Sequence, residues 1–350
     1  MDIPHEKYKG RSVLITGGLG FIGSNLAHRL AEIEDVEITI IDSLSEGQGG
    51  NLFNIEGIRD RINLHIADMG DSWAINHLVG GVDYIFDLAG SVSHVDSMNM
   101  PQVDLQLNCA THLSLLEACR SFNPHVKIVF TSTRQVYGQP EYLPLDENHR
   151  VQPADLNGIH KRTTEMYLQL YRHAYGLKTV SLRLTNTYGP RQQLQHNRQG
   201  FIAWFVRQAL NGEVIELFGD GKQRRDLNYV DDVVDALLLA GVSEEAEGKV
   251  FNLGNHEIIS LAEVAEEVIK LTGRGRAVGV PFPVERQLID VGNCYCSYQK
   301  LEKLLGWRPR VGLRDGLRRT IEFYGRNREQ YLPAEPANEK AVSKSYAKLG

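Results

Sequence analysis

The run Thr16-Gly17-Gly18-Leu19-Gly20-Phe21-Ile22-Gly23 constrains this chain more than any other feature. It follows an apolar stretch, Ser12–Thr16, and leads into an amphipathic one that ends near Ala31. A strand, a glycine turn and a helix in that order place free N–H groups and a partial positive charge at one spot, which suits a phosphate. Gly17 permits the tight turn. Gly20 lets the backbone approach a pyrophosphate, and Gly23 allows the helix to pack closely on the strand. The next strand-like run, Glu37–Ile41, ends at Asp42, about 20 residues past the loop, where a carboxylate can hydrogen-bond ribose hydroxyls and repel a 2′-phosphate. The residues after it are Ser43, Leu44 and Ser45, with no Arg. NAD is therefore favoured over NADP. For Asp68 two readings stand side by side, an adenine contact and a strand-end turn residue.

The rest of the first half repeats the rhythm. Ile62–Ala67, Asp83–Ala89, Val126–Thr131 and Thr179–Leu184 are short runs rich in Val and Ile, as expected of strands buried on both faces. The stretches between them are long enough for crossover helices. The fold class is α/β: a Rossmann-type doubly wound parallel sheet with a smaller C-terminal α/β lobe. The expected divisions are an N-terminal arm at 1–10, a dinucleotide-binding domain at 11–190 with some later segments returning to it, a mainly substrate-binding lobe at 191–330, and a disordered tail at 331–350. In the second half, helices are expected at Gly200–Leu210, Ser260–Leu271 and Leu313–Tyr324, and a strand at Val214–Phe218. Ser260 with Glu263 reads as a capping box.

Charge and cysteines narrow the function. Lys and Arg total 38 against 44 Asp and Glu in 350 residues, a net charge of −6, so no nucleic-acid partner is expected. No apolar run reaches the ~18 residues of a membrane span, and Met1–Arg11 carries no signal-peptide core, so a cytoplasmic protein is expected. Of the 4 cysteines, Cys294 and Cys296 are close, but no second pair supplies the roughly four ligands of a zinc site. They read as packing residues, and no metal is expected.

Further motifs follow in order: Asp83–Ala89, Asn108, Thr131-Ser132-Thr133 with Val136-Tyr137-Gly138, Asn186-Thr187-Tyr188-Gly189-Pro190-Arg191, and Gly219–Asp226. With the glycine loop they make the chain resemble, over roughly residues 10–325, the extended short-chain dehydrogenase/reductases that epimerise or dehydrate nucleotide sugars. The resemblance implies bound NAD, a nucleoside diphosphate sugar as substrate, and a homodimer built on helices near Pro101–Cys119 and Gly158–Tyr175. By position it puts Gly17, Gly20, Phe21, Ile22, Asp42 and Asp68 on the cofactor side, and Ala89, Asn108 and Lys161 at its nicotinamide half. It puts Thr133 on the sugar hydroxyl that loses hydride, and Asn186 and Arg225 on the diphosphate. Arg286 is a further diphosphate candidate, with a surface ion pair as the equal alternative.

One departure matters. The family's helical Tyr-x-x-x-Lys pair places a phenol and an amine on one face, so that the phenolate takes the hydroxyl proton. Here Lys161 is present but the Tyr position is Asn157, and an amide does not titrate. The proton acceptor is then His160, His94, or a water held by Asn157 beside Thr133 and Lys161. Alternatively the reaction tolerates the loss, or the protein binds both ligands without catalysis. The acid–base pair that 4,6-dehydratases carry after the Thr is replaced by Arg134 and Gln135. That disfavours ordinary dehydration and favours epimerisation by transient oxidation at sugar C4 of a UDP-hexose or UDP-hexuronate. Decarboxylation and net C4 oxidation remain as alternatives. Arg134 is a candidate partner for an acidic sugar, or for a neighbouring carboxylate of the protein.

Overall fold

The computed structural model describes residues 4–287 and 289–332. Seven parallel strands form the central sheet in the order β10-β6-β5-β4-β1-β2-β3. They are β1 (Ser12–Thr16), β2 (Glu37–Asp42), β3 (Ile62–Ile66), β4 (Tyr84–Asp87), β5 (Lys127–Thr133), β6 (Lys178–Leu184) and β10 (Val250–Leu253). The expected strands are present, with ends displaced by a residue or two. Side chains alternate between two buried layers: Val13, Ile15, Phe86 and Val129 join one core, and Leu14, Ile41, Ile85 and Ile128 the other. Both faces being covered explains why the strands read as continuous apolar runs. Strand order reverses between β1 and β4, so a crevice opens at their carboxyl ends, where such sheets bind ligands.

Two small sheets build the second lobe. β7 (Asn186–Tyr188), β9 (Arg224–Tyr229) and β11 (Ile258–Ser260) form one, in the order β11-β9-β7; β8 (Val214–Phe218) and β12 (Arg276–Val280) form the other. Helices Phe201–Asn211, Leu261–Thr272 and Leu313–Arg326 support them. The capping box at Ser260 and Glu263 forms, and Gly273 ends that helix in the left-handed conformation. Chain order and spatial order part here. Helix Val230–Val242, which the periodicity did not single out, is apolar nearly all round and contributes Val233, Leu237 and Ala240 to the sheet's own core.

Residues near both limits of the described chain are packed into the fold. In the arm, Tyr8 is fully buried and its hydroxyl donates to Leu238 O at 2.8 Å. Tyr331 and Leu332, expected in the tail, are buried instead. The Tyr331 ring meets Phe53 and Tyr324 edge-on, and its hydroxyl donates to Asn54. Residues 333–350 of that tail lie outside the described residues.

The helix Leu156–Tyr175 carries Asn157 and Lys161, and one ion pair docks it. Glu165, with no exposed surface, accepts from Arg183 of β6 at 2.8 Å and 2.7 Å in a two-pronged pair. Ser132 of β5 adds a 2.6 Å hydrogen bond to the same carboxylate. Burial alone would raise the Glu165 pKa, but the Arg183 hydrogen bonds and charge outweigh it and hold the group below its ordinary range. Stability from this site is therefore complete above the ordinary carboxyl range near ~4.3. It is lost as pH falls through the depressed folded value. Glu165→Gln strands a buried guanidinium and should cost about 3–5 kcal/mol in urea unfolding at neutral pH. A loss under about 1 kcal/mol, the size of a surface pair, would show that the helix is held by other contacts.

Candidate functional site

The turn after β1 forms as the sequence requires. Gly17 sits at φ +66°, and a Cβ there would lie 2.9 Å from Ala89 Cα on the neighbouring loop. At Gly23 a Cβ would lie 2.4 Å from Gly17 O, so the helix Phe21–Ala31 packs against its own loop. That helix has no acidic residue in its first turn and no side-chain cap, which leaves its N-terminal N–H groups open to an anion. Thr16 joins the loop to β4: its hydroxyl donates to Asp87 Oδ1 at 2.9 Å and accepts from Ala89 N at 3.1 Å. Asp42 accepts from Leu19 N at 3.0 Å and Leu44 N at 2.9 Å. A carboxylate has about four acceptor sites, so two remain for ribose hydroxyls. Asp68 lines the cavity and also accepts from Gly70 N at 2.6 Å, as a turn residue does.

One cavity of about 560 Å³ runs from this loop, with Gly20, Phe21 and Ile22 on its wall, into the second lobe. Thr133, Asn157, Lys161 and His94 line its middle. Lys161 Nζ donates to Thr131 O at 3.2 Å and lies 4.7 Å from the Phe130 ring centre. Burial pushes its pKa down to about 8, against the pull of Asp87 and Asp104. Asn157 is committed elsewhere: its amide donates to Ser91 O at 2.8 Å and Asp104 Oδ2 at 3.3 Å. Its NH₂ is thus a clip between the helix and the β4 loop.

Two expected residues stand behind the wall. His160 is not on the cavity lining, because its ring turns the other way and pairs Nδ1 with Asp104 Oδ1 at 2.7 Å. As a direct proton acceptor it is out of place, since one residue of helix rotates its side chain away from Lys161. Asn108 is fully buried in the π-helical turn Gln106–Ala110 and donates to Asp104 Oδ2 at 2.9 Å. It backs Gly90, where a Cβ would lie 2.5 Å from Asn108 Oδ1 and 3.2 Å from Lys161 Nζ. His94, by contrast, is on the wall, with Nδ1 2.8 Å from Asp155 Oδ2. Asp155 also caps the helix, accepting from Gly158 N at 2.7 Å. Burial would raise its pKa, but His94 and the Gly158 N–H bring it below the ordinary value.

At the far end Asn186, Arg225, Arg286 and Arg134 all face the cavity. Arg225 donates to the carbonyls of Arg224 and Gly292 and sits 3.9 Å from Asp290. Arg286 donates to Asn197 Oδ1 at 3.2 Å and stacks over Phe218. Cys294 and Cys296 are buried and pack with Val136, Tyr137 and Leu145. Among the described residues no group of three His, Cys, Asp or Glu could hold a metal ion, and no helix is long and apolar enough to cross a membrane.

Sequence reasoning missed Asp104 and Asp155. Asp104 stands four residues before Asn108, on one helical face, and Asp155 directly precedes the helix as an N-cap residue. Both signals were readable from spacing.

The fold and this cavity define a dinucleotide-dependent enzyme of the short-chain dehydrogenase/reductase type. The model of the NAD dependent epimerase/dehydratase family matches residues 13–254, and the chain belongs to that family. It is 34% identical over 322 residues to UDP-glucose 4-epimerase of Mycolicibacterium smegmatis, covering 91% of this chain and 99% of the relative. The UDP-glucose 4-epimerase of Thermotoga maritima, solved with UDP-glucose, superposes with a TM-score of 0.83 at 33% identity, over 90% of this chain and 99% of that one. The Thermus thermophilus UDP-glucose 4-epimerase, solved with NAD, gives 0.80 at 31% identity, with coverage of 90% and 99%.

NAD is the cofactor, and the residues present fit it. The Gly17 and Gly20 backbone leaves room for a pyrophosphate, and Asp42 has open acceptor sites on the cavity wall. Protein purified without added nucleotide is expected to release NAD(H) on denaturation, identified by mass spectrometry. Gly20→Val should come out empty, because a branched side chain fills the pyrophosphate space. Recovery of NADP(H) alone would overturn the role given to Asp42.

Proposed function

We propose that the chain is an NAD-dependent nucleotide-sugar 4-epimerase acting on a UDP-hexose or UDP-hexuronate. One observation carries the choice of epimerisation. The two residues after Thr133, where elimination would need an acid and a base, are Arg134 and Gln135, and neither exchanges protons at neutral pH. Epimerisation at C4 needs one proton acceptor, a hydride acceptor and room for the sugar to turn. The cavity around Thr133 suits that demand.

NAD, when bound, accepts a hydride and returns it. Every other role falls to the chain. Thr133 Oγ accepts from Gln135 N at 3.2 Å, so its own proton remains to orient the sugar hydroxyl. His94, on the cavity wall with Nδ1 2.8 Å from Asp155 Oδ2, takes that hydroxyl's proton. Lys161 supplies positive charge beside the developing alkoxide. Asn157 positions the Ser91 backbone and takes no proton. Asn186, Arg225 and Arg286 hold the diphosphate, for which the guanidinium fork is suited.

The second copy of a homodimer would cover an apolar face. Val103, Leu105, Ile159, Met166 and Leu170 are all 44–54% exposed on the two helical segments named for the interface. Core residues would not be exposed to that extent. Light scattering at micromolar concentration should give a dimer mass, and a monomer would refute it.

Incubation of purified protein with UDP-sugars, followed by NMR, tests the reaction. The expected product differs only in configuration at C4; loss of C6 as carbon dioxide or of water would replace epimerisation with decarboxylation or dehydration. Lys161→Met should lower kcat by about 10²–10³, the effect of losing one electrostatic stabiliser. His94→Ala should remove the acid limb of the pH–rate profile, whereas His160→Ala should leave that limb in place. Lys161 is cationic below about 8, so activity is expected to fall as pH rises through that value. If Lys161→Met turns over normally with NAD bound, this assignment of the site is wrong.

A further inference from the structure

Arg134 stands out among the cavity's charges because one of its guanidinium nitrogens has no hydrogen-bond partner among the described residues. It opens the short turn Arg134–Tyr137 after β5 and is only 8% exposed, yet it lines the cavity. One guanidinium nitrogen, Nη2, is 3.5 Å from Asn186 Oδ1, the outer limit of a hydrogen bond. The other, Nη1, is buried without a partner among the described residues. The acids that face it are Asp226 of β9 and, across the cavity, Asp155. Asp226 spends Oδ2 on Cys296 N at 3.0 Å and leaves Oδ1 unpartnered. Asp155 is taken by His94 and the helix cap. The remaining neighbours are the thiols of Cys294 and Cys296 and the like charge of Arg225. Burial opposes the charge of Arg134, but the thiols and Asp226 outweigh it and hold its pKa above the ordinary value, while Arg225 sets a like charge beside it.

We propose that Arg134 receives a carboxylate carried by the sugar, so that the substrate is a nucleotide hexuronate. This rests on the reading of the cavity as a nucleotide-sugar site. Three features select a sugar carboxylate. Arg134 is one peptide, about 3.8 Å between Cα atoms, from Thr133, which orients the reacting hydroxyl. Its guanidinium, on the cavity wall, carries the planar donor fork that matches a carboxylate. Arg225 and Arg286, from the second lobe, already supply cations for the diphosphate. A neutral hexose would leave Nη1 desolvated and unpaired, so the site discriminates by the absence of an anion as much as by its presence.

Calorimetry on the NAD-loaded protein with UDP, UDP-glucose and UDP-glucuronate tests this without turnover. The two sugars differ only at C6. UDP-glucuronate is expected to bind about 10–100-fold more tightly, the span of one charge-assisted hydrogen-bonded pair. Arg134→Gln should collapse that ratio toward 1. Arg134→Lys, which keeps the charge and loses the fork, should retain part of it. Retained NAD and an unchanged melting profile show that each variant is folded; if the Gln variant fails to fold, the wild-type ratio and the Lys variant decide. Equal affinities for the two sugars in the wild type overturn the proposal. So does an equal loss for UDP and both sugars in Arg134→Gln, which would make Arg134 a diphosphate ligand. If UDP itself does not bind, the nucleotide-sugar reading fails first, and the failure is recognisable as such.

Discussion

The two-pronged pair between Glu165 and Arg183 is the constraint on which the site rests. It bonds the middle of the helix Leu156–Tyr175 to β6, while Ser132 bonds the same carboxylate to β5. A helix packed only by apolar side chains can slide or rotate by small steps at little cost. A buried carboxylate with directional partners on two strands cannot, because any slip leaves charge unpaired away from water. Lys161 lies one turn before Glu165 on this helix, so the register that satisfies the ion pair also sets where the amine enters the cavity.

Beneath the reacting end lies a second polar layer. Asp104 gathers His160, Asn108 and Asn157, from two helical segments, onto its two oxygens. Asp87 does the same for Thr16 and His112. Both carboxylates oppose the loss of charge that burial imposes on Lys161. Lys161 is thereby kept cationic at neutral pH while its only hydrogen-bond partner among the described residues is the neutral Thr131 carbonyl. An amine free of a direct counter-ion can respond to charge that appears on a substrate, whereas one locked to a carboxylate would be spent.

The cavity is polarised along its length. Its first end offers backbone N–H groups and the helix N-terminus. Its far end offers guanidinium groups on strands and turns of the second lobe. Both ends attract negative charge, as a ligand pair of two dinucleotide-like molecules requires. The middle is walled by Thr133, Asn157, His94 and the cationic Lys161. In the reaction proposed above, charge–charge attraction would hold the ligands at their phosphates, and directional contacts would orient the reacting carbon between them.

The parallel sheet, the glycine turn, the carboxylate at Asp42 and the capped helix at Ser260 were all legible in the sequence, because each depends on residues close in the chain. A turn needs its glycine locally, and a doubly covered strand needs an unbroken apolar run. Lys161 and Asn157 could be placed on one helical face by spacing alone. What faces what could not. His94 and His160 look alike as sequence, yet tertiary packing points one at the cavity with Asp155 behind it and turns the other onto Asp104. Arg134 reads equally well as an ion-pair partner or a ligand for an acid until the fold shows it on the cavity wall, with Asp226 close enough to favour its charge but no carboxylate bonded to it among the described residues. Such assignments depend on groups separated by 56 positions, as Asp104 and His160 are, brought together by burial. Burial is a property of the whole sheet and its two cores, and no local pattern encodes it.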